Sequence, residues 1–322
     1  MNTLHLQNTT HDEHADAAIS AVIGLYEAAF PGRIRSVYLE GSYADTTHVA
    51  NSDLDLQIIL KDTYQSPEER DKAAQVKNYC TTLSTAIELD ITLTQEVDFA
   101  NGVRPWLKFG SLHLYGEDIL QHLPVLSIEE WTRDRMHVSY WLLVKVFNRQ
   151  PLVKWPLTYP DPGGAFYGYD QRKVRASDGS EQNSTRDLMR VTGWIAAARV
   201  ALEKGIYASS KHECFTMYRQ WIGDEWTSLL EDLYALCRGQ WHYQIPEKEE
   251  EREQLRVLCS RVLAWENHFL QIYKPFLLAD LRSSTKATQD HALWLMGQIP
   301  YEDQDVLAAL QELQGVHGTS AG

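Results

Sequence analysis

Cysteine is scarce. The 322 residues hold only four, Cys80, Cys214, Cys237 and Cys259, with no C-x-x-C pair and no histidine at zinc-ligand spacing. That excludes a disulfide framework and a cysteine-built metal centre, and leaves four thiols to be buried in a reducing compartment. Long apolar runs are missing too. No stretch approaches the ~18 consecutive apolar residues of a membrane span. The opening residues, MNTLHLQNTTHDEHADAA, carry neither the basic nor the apolar region of a signal peptide. A cytoplasmic protein without membrane attachment is expected. Positive charge is also in deficit, with 30 Lys and Arg against 44 Asp and Glu and a formal net charge of −14. A groove for duplex nucleic acid carries a basic footprint, so nucleic acid is disfavoured as a partner. No internal repeat is visible.

Apolar residues are plentiful, at 44% with 11% aromatics, which is enough for packed cores in two domains. A first helix is expected from Glu13 to Phe30, stopped by Pro31-Gly32. Strands follow at Arg35–Glu40 and Asp53–Leu60, then a helix from Ser66-Pro67-Glu68-Glu69 to about Thr85, with Ser as N-cap, Pro at N1 and acids in the first turn. A third strand falls in AIELDITLT, with Ile87, Leu89, Ile91 and Leu93 on one face and Glu88, Asp90 and Thr92 on the other. Beyond Ile128 the periodicity turns helical. Helices are expected over Trp131–Asn148, from Ser184 along a stripe of Leu188, Val191, Ile195, Ala198 and Leu202, and then over Lys211–Ile222, Glu225–Arg238, Pro246–Leu281 and from Thr285 to the end. The fold class is therefore α+β: a small α/β domain over residues 1–125, followed by an all-helical domain over 126–322 that contains a long aromatic loop at 150–183.

The stretch VYLEGSYADTTHVANSDLDLQIIL, Val37 to Leu60, carries the chemistry. Asp53, Asp55 and Gln57 share one strand face, and Leu54, Leu56, Ile58 and Leu60 fill the other. Carboxylates two residues apart stand about 7 Å from each other at Cα and can converge on a hard divalent cation. Asp90, on the polar face of the third strand, completes such a site, and Glu88 competes with it for that role. Gly41-Ser42 at a strand end offers backbone N–H groups and a hydroxyl to a phosphate. A phosphate cradle one short connection away from paired carboxylates describes a metal–nucleotide site.

GSYADTTHVANSDLDL resembles the signature of the DNA polymerase β-like nucleotidyltransferase superfamily: Gly-Ser, ten residues, then Asp-x-Asp. Within it the chain is most similar to the aminoglycoside nucleotidyltransferases of the streptomycin/spectinomycin type. LDITL resembles that family's third-acid strand, which favours Asp90 over Glu88, although the family has Glu where this chain has Asp90. Pro105-Trp106 and LHLYGED resemble the family's continuation to about Leu120, except that Asp118 stands where the antibiotic enzymes have an aromatic. The helical stretch RDLMRVTGWIAAARVALEKGIYASSKHECFTMYRQW resembles the family's Arg-rich helix and Ser/Pro-Lys motif.

The resemblance implies a polymerase β-like first domain and Mg²⁺-dependent transfer of a nucleoside monophosphate, AMP from ATP first, to a hydroxyl. Asp53, Asp55 and Asp90 would be the catalytic and metal residues, with two Mg²⁺ ions. Gly41, Ser42 and Lys211 would bind the nucleotide, Lys211 reaching the triphosphate from the helical domain. Glu88, Trp106, Glu117, Phe166 and Tyr169 are the acceptor candidates, and an acid-rich cleft with Glu40, Asp90 and Glu117 would suit a cationic small molecule. The loop YPDPGGAFYGYD, with Tyr159, Phe166, Tyr167 and Tyr169, is expected either as a lid or acceptor wall, or as rings sealing the two domains. The alternative acceptor is a macromolecule, a protein or tRNA modified by a toxin–antitoxin type of enzyme. The charge of −14 weighs against tRNA.

Overall fold

The computed structural model describes residues 5–83, 87–175 and 180–318. It divides into two compact units. The first comprises Met1–Trp131, Lys173–Gln182 and Gly205–Cys214; the second comprises Thr132–Arg172, Asn183–Lys204 and Phe215–Gly322. The α+β class expected from sequence is the one observed.

In the first unit, helix α1 (Glu13–Ala29) starts where Asp12 caps it, its carboxylate accepting from the N–H groups of His14 and Ala15 at 2.9 and 3.0 Å. Ala15, Ile19, Val22, Ile23 and Tyr26 recur at helical spacing and form its buried face. Strands β1 (Ile34–Glu40), β2 (Leu54–Leu60), β3 (Leu89–Gln95) and β4 (Leu112–Gly116) make one sheet in the order β3-β2-β1-β4. Strand β1 runs antiparallel to β2 and β4, and β2 runs parallel to β3. The parallel pair needs a crossover, which contains α2 (Pro67–Leu83). Residues 84–86, where the third strand was expected to begin, lie outside the described residues. Strand β4 was not foreseen, because LHLYG is only five residues long and just one of them, Leu114, is fully buried.

The two sheet faces differ. Val37, Leu39, Leu54, Leu56, Ile58, Leu89 and Ile91 pack with α1 in one core. Each such fully buried large side chain contributes about 1.5–3 kcal/mol. On the opposite face Tyr38 and Ile59 pack with Phe99, Val103, Leu107, Ile119 and Leu120. Leu107 belongs to α3 (Pro105–Gly110). Along β2 this second face therefore grades from carboxylate through Gln57 to apolar Ile59, so its charged end lies beyond the core. A short ribbon, β5 (Lys173–Arg175) with β6 (Glu181–Asn183), follows much later in the chain.

Helix α4 (Ile128–Lys145) leads into the second unit, which is built on α5 (Arg186–Lys204), α7 (Thr227–Leu233), α8 (Glu249–Leu281), α9 (Lys286–Gln298) and α10 (Gln304–Gly318). Helix α6 (Lys211–Trp221) spans the boundary of the two residue sets. Leu188, Val191, Ile195 and Ala198 of the expected α5 stripe are buried, but Leu202 is 37% exposed, because the helix runs past its core in the last turn. The single helix expected over Glu225–Arg238 is α7 followed by a π-helical turn, Tyr234–Gln240. The single helix expected from Thr285 onward is two. Pro300 keeps Ile299 out of the helical region, at φ −139° and ψ 85°, which stops α9 before α10 begins.

The aromatic loop belongs to the packing of this second unit. Phe166 and Tyr169 are 2% and 0% exposed. The Tyr169 hydroxyl donates to Glu266 Oε2 at 2.7 Å, and Arg149 reaches the same carboxylate oxygen at 2.7 Å. Asn267, the next residue of α8, accepts from the Leu157 N–H at 2.6 Å. Tyr159 and Tyr167 stack at 4.4 Å. Buried rings clipped to α8 form no accessible wall, which corrects the expectation that Phe166 and Tyr169 line an acceptor site. All four cysteines are buried and none is in a disulfide, and burial pushes the thiols of Cys80 and Cys237 up to about 11 and about 12. Among the described residues, no helix is long and apolar enough to cross a membrane.

Candidate functional site

The end of β1, the start of β2 and the start of β3 bring the expected acids together. Strand register pairs Glu40 with Asp55, and Asp55 with Asp90. Neighbouring strands lie about 4.8 Å apart, so these three positions form a row across one face. Leu54 pairs with Leu89, and the Leu54 N–H donates to the Glu88 carbonyl at 2.9 Å. The register thus continues to place Glu88 beside Asp53, one step from the row. Asp90 is exposed, whereas Glu40, Asp53, Asp55 and Glu88 are half-buried. Asp53 immediately precedes β2 rather than opening it.

The Gly-Ser turn closes over this row. Gly41 adopts φ +74°, and a Cβ built on it would lie 2.5 Å from Asp55 Oδ2. Two separate requirements therefore select glycine: a left-handed backbone and a carboxylate pressed against its Cα. Gly41–Tyr43 form a short 3₁₀ turn in which the Ala44 N–H donates to Gly41 O at 3.0 Å, and the Thr47 N–H donates to Ser42 O at 2.9 Å. The connection to β2 is locked by Tyr43 stacked on His48 at 4.1 Å and by Ser52, whose hydroxyl accepts from the Val49 N–H at 2.9 Å. Burial, and then the charges of Asp12 and Asp53, push the Tyr43 hydroxyl up.

Sequence reasoning missed Arg104. It lies directly before α3, and its Nη2 donates to Glu40 Oε2 at 3.3 Å and to Gln57 Oε1 at 3.2 Å. Gln57 is fully buried and donates in turn to Thr94 Oγ1 at 2.8 Å, which fixes the acceptor that Arg104 meets. No local pattern signals this contact, since 64 residues separate Arg104 from Glu40. An arginine before a proline in an extended conformation reads as a turn, not as a site.

The remaining candidates fall elsewhere. Trp106 is half-buried in α3, edge-on to Trp131 at 5.7 Å. Glu117 pairs with Arg35 at 2.7 Å, near the opposite end of β1 from Glu40, and so stands apart from the acid row. Asp118 accepts from the Tyr38 hydroxyl at 3.0 Å, a structural contact within the same unit. Lys211 opens α6 within Gly205–Cys214, which groups with the first unit, but its side chain lies outside the described residues.

The donor set suits Mg²⁺ in one manner and not in another. Among the described residues, no three His, Cys, Asp or Glu side chains are gathered to hold a metal ion. Mg²⁺, however, is commonly held by one or two carboxylates, with substrate phosphates and water completing its octahedron. Asp53 and Asp55, two residues apart beside the Gly41 turn, fit that lesser requirement.

No protein-family model and no curated protein matches the chain. Among solved structures, the crystal structure of spectinomycin adenyltransferase AAD(9) from Enterococcus faecialis with ATP and spectinomycin is similar to it, at 12% identity and a TM-score of 0.42. The match covers 76% of this chain and 98% of that one. So low a score assigns no role to any residue.

Proposed function

We propose that the chain transfers a nucleoside monophosphate, AMP from ATP first, to a hydroxyl of a small acceptor and releases pyrophosphate. The observation that supports this most is the left-handed turn at Gly41 pressed against Asp55, within a row of register-aligned carboxylates. A backbone turn free of side-chain bulk lets a triphosphate approach carboxylates closely enough to share a cation with them. The Gly41 and Ser42 N–H groups and the Ser42 hydroxyl orient the outer phosphates. Asp53 and Asp55 hold Mg²⁺. When bound, Mg²⁺ offsets triphosphate charge and stabilises the attacking and leaving oxygens. Asp90, exposed and in register with Asp55, takes the acceptor proton, for which it needs only hydrogen-bond reach of the hydroxyl. Glu88 is the alternative base. Trp106 and Glu88 border the acceptor, and the surplus of carboxylates favours a cationic one such as an aminoglycoside.

The test is incubation with each labelled nucleoside triphosphate, Mg²⁺ and a panel of aminoglycosides, with products identified by mass. An acceptor heavier by one nucleoside monophosphate, together with released pyrophosphate, is the expected result. Absence of any nucleotidyl product from every triphosphate would sink the reading. A labelled protein in place of a labelled small molecule would move the acceptor to a macromolecule.

A further inference from the structure

The geometry points to Arg104 as a positioning residue: it engages Glu40 and so sets how strongly the Asp53–Asp55 pair binds a divalent cation. This rests on the reading of that pair as the cation site. Asp55 has two same-face neighbours that Arg104 touches, Glu40 across the β1–β2 register and Gln57 two residues along β2. The guanidinium therefore bridges the flanks of Asp55. Glu40 is only 20% exposed and ion-paired to Arg104, so its charge is largely compensated within the site. The buried Gln57, anchored to Thr94, fixes Arg104 from below. Without the guanidinium, Glu40 would be an additional negative charge one strand from Asp55, free to turn toward the same ion. Without Glu40, the guanidinium would be an uncompensated positive charge beside it.

The sign of each change follows from Coulomb's law. Removing Arg104 adds net negative charge next to the pair and must tighten cation binding. Removing the Glu40 charge must weaken it, and removing both returns the balance to its start. For a unit charge within about 10 Å of a divalent ion in a half-exposed site, the expected change is about threefold to tenfold. Tighter binding through Glu40 also draws the ion off the Asp53–Asp55 pair, so the Arg104 variant binds metal better while transferring nucleotide more slowly.

The experiment is Mn²⁺ titration of the full chain, read as loss of the free-ion electron paramagnetic resonance signal, with nucleotidyl transfer measured in parallel. Arg104→Gln should lower the Mn²⁺ dissociation constant about threefold or more and reduce kcat. Glu40→Gln, nearly isosteric, should raise the dissociation constant by a similar factor. The Arg104→Gln/Glu40→Gln double variant should return within about twofold of wild type, as should Arg104→Lys, which keeps the charge. Unchanged Mn²⁺ affinity in both single variants, with wild type binding normally, overturns the role of Arg104 alone. Failure of wild type to bind Mn²⁺ either alone or with a non-hydrolysable ATP analogue overturns the cation site and this inference with it. If Arg104→Gln does not fold, the Glu40→Gln shift and its direction still decide.

Discussion

Gly41 and Asp55 are in contact so close that no side chain fits between them: a Cβ on residue 41 would stand 2.5 Å from Asp55 Oδ2. Gly41→Ala meets this clash and also φ +74°. It should cost about 1–3 kcal/mol of stability, the usual range for a strained backbone position. Because relief requires moving Asp55, nucleotide-dependent activity should fall far more than stability does. Urea unfolding and transfer rate, measured on the same preparation, check both halves. An Ala variant with unchanged activity would detach the turn from the site.

Asp53→Asn and Asp55→Asn should each leave the fold intact, since loss of one of several neighbouring like charges relieves repulsion. Each should lower nucleotidyl transfer by about 10³-fold, the several kcal/mol that charge stabilisation supplies. Circular dichroism melts with rate measurements separate the two effects. Near-wild-type transfer in either variant would reassign the metal ligands.

His268 gives the helical unit an acid-sensitive element. Burial, and secondarily the positive charge of Arg199, lower its pKa below 6.5, while Asp224, Glu225 and Glu203 oppose this. Its buried Nε2 has no hydrogen-bond partner, so a proton placed there is held by no hydrogen bond. A folded-state pKa below the unfolded one gives stability that is present above pH 6.5 and lost as pH falls through the folded value. His268→Gln should therefore flatten the fall in unfolding free energy between pH 7.5 and 5.5. Identical slopes in wild type and variant would remove His268 as the cause.

The Tyr169 hydroxyl joins the buried Arg149–Glu266 pair. Tyr169→Phe leaves the ring in place and deletes two charge-assisted contacts, the one the hydroxyl donates to Glu266 and the one it accepts from Arg149, a loss of at least about 1.5–3 kcal/mol. Glu266→Gln, which leaves Arg149 buried without its counter-charge, should cost about 3–5 kcal/mol. Both are read by denaturant unfolding, with acceptor KM unchanged. A KM shift with no stability loss would return the loop to an acceptor role.

Much of the first unit was legible because short-range signals coincide there. Period-two alternation in β2, the Pro67 helix start and the Gly41-Ser42 turn each announce themselves locally, and the two strand faces follow. What stayed hidden depends on long-range register. Nothing in LHLYG shows that it pairs with β1, and nothing near Arg104 names Glu40 as its partner. The aromatic loop misled for a different reason. Pro and Gly in YPDPGGAFYGYD correctly exclude regular structure, but irregular backbone can still bury its rings, and Glu266 on α8 was unreadable as their anchor. The last helix failed at one residue, Pro300, which was passed over inside an otherwise periodic segment.

The last prediction concerns Lys211. The motif resemblance gives it the triphosphate, and α6 begins with it, within a stretch that groups with the first unit and its acid row. A cation in a first helical turn opposes the helix dipole and needs a reason to be there; a polyanionic ligand supplies one. Lys211→Ala should weaken ATP binding by about 1–3 kcal/mol, the range for a charge-assisted contact. The thermal stabilisation given by ATP with Mg²⁺ should shrink accordingly, because it follows occupancy. Lys204, exposed in the last turn of α5, is the control. There a cation complements the dipole, so its replacement should leave ATP binding unchanged. Titration of melting temperature against ATP–Mg²⁺ for the two variants is the measurement. Equal and small shifts would take Lys211 out of the nucleotide site and leave the phosphates to Gly41, Ser42 and the cation held by Asp53 and Asp55.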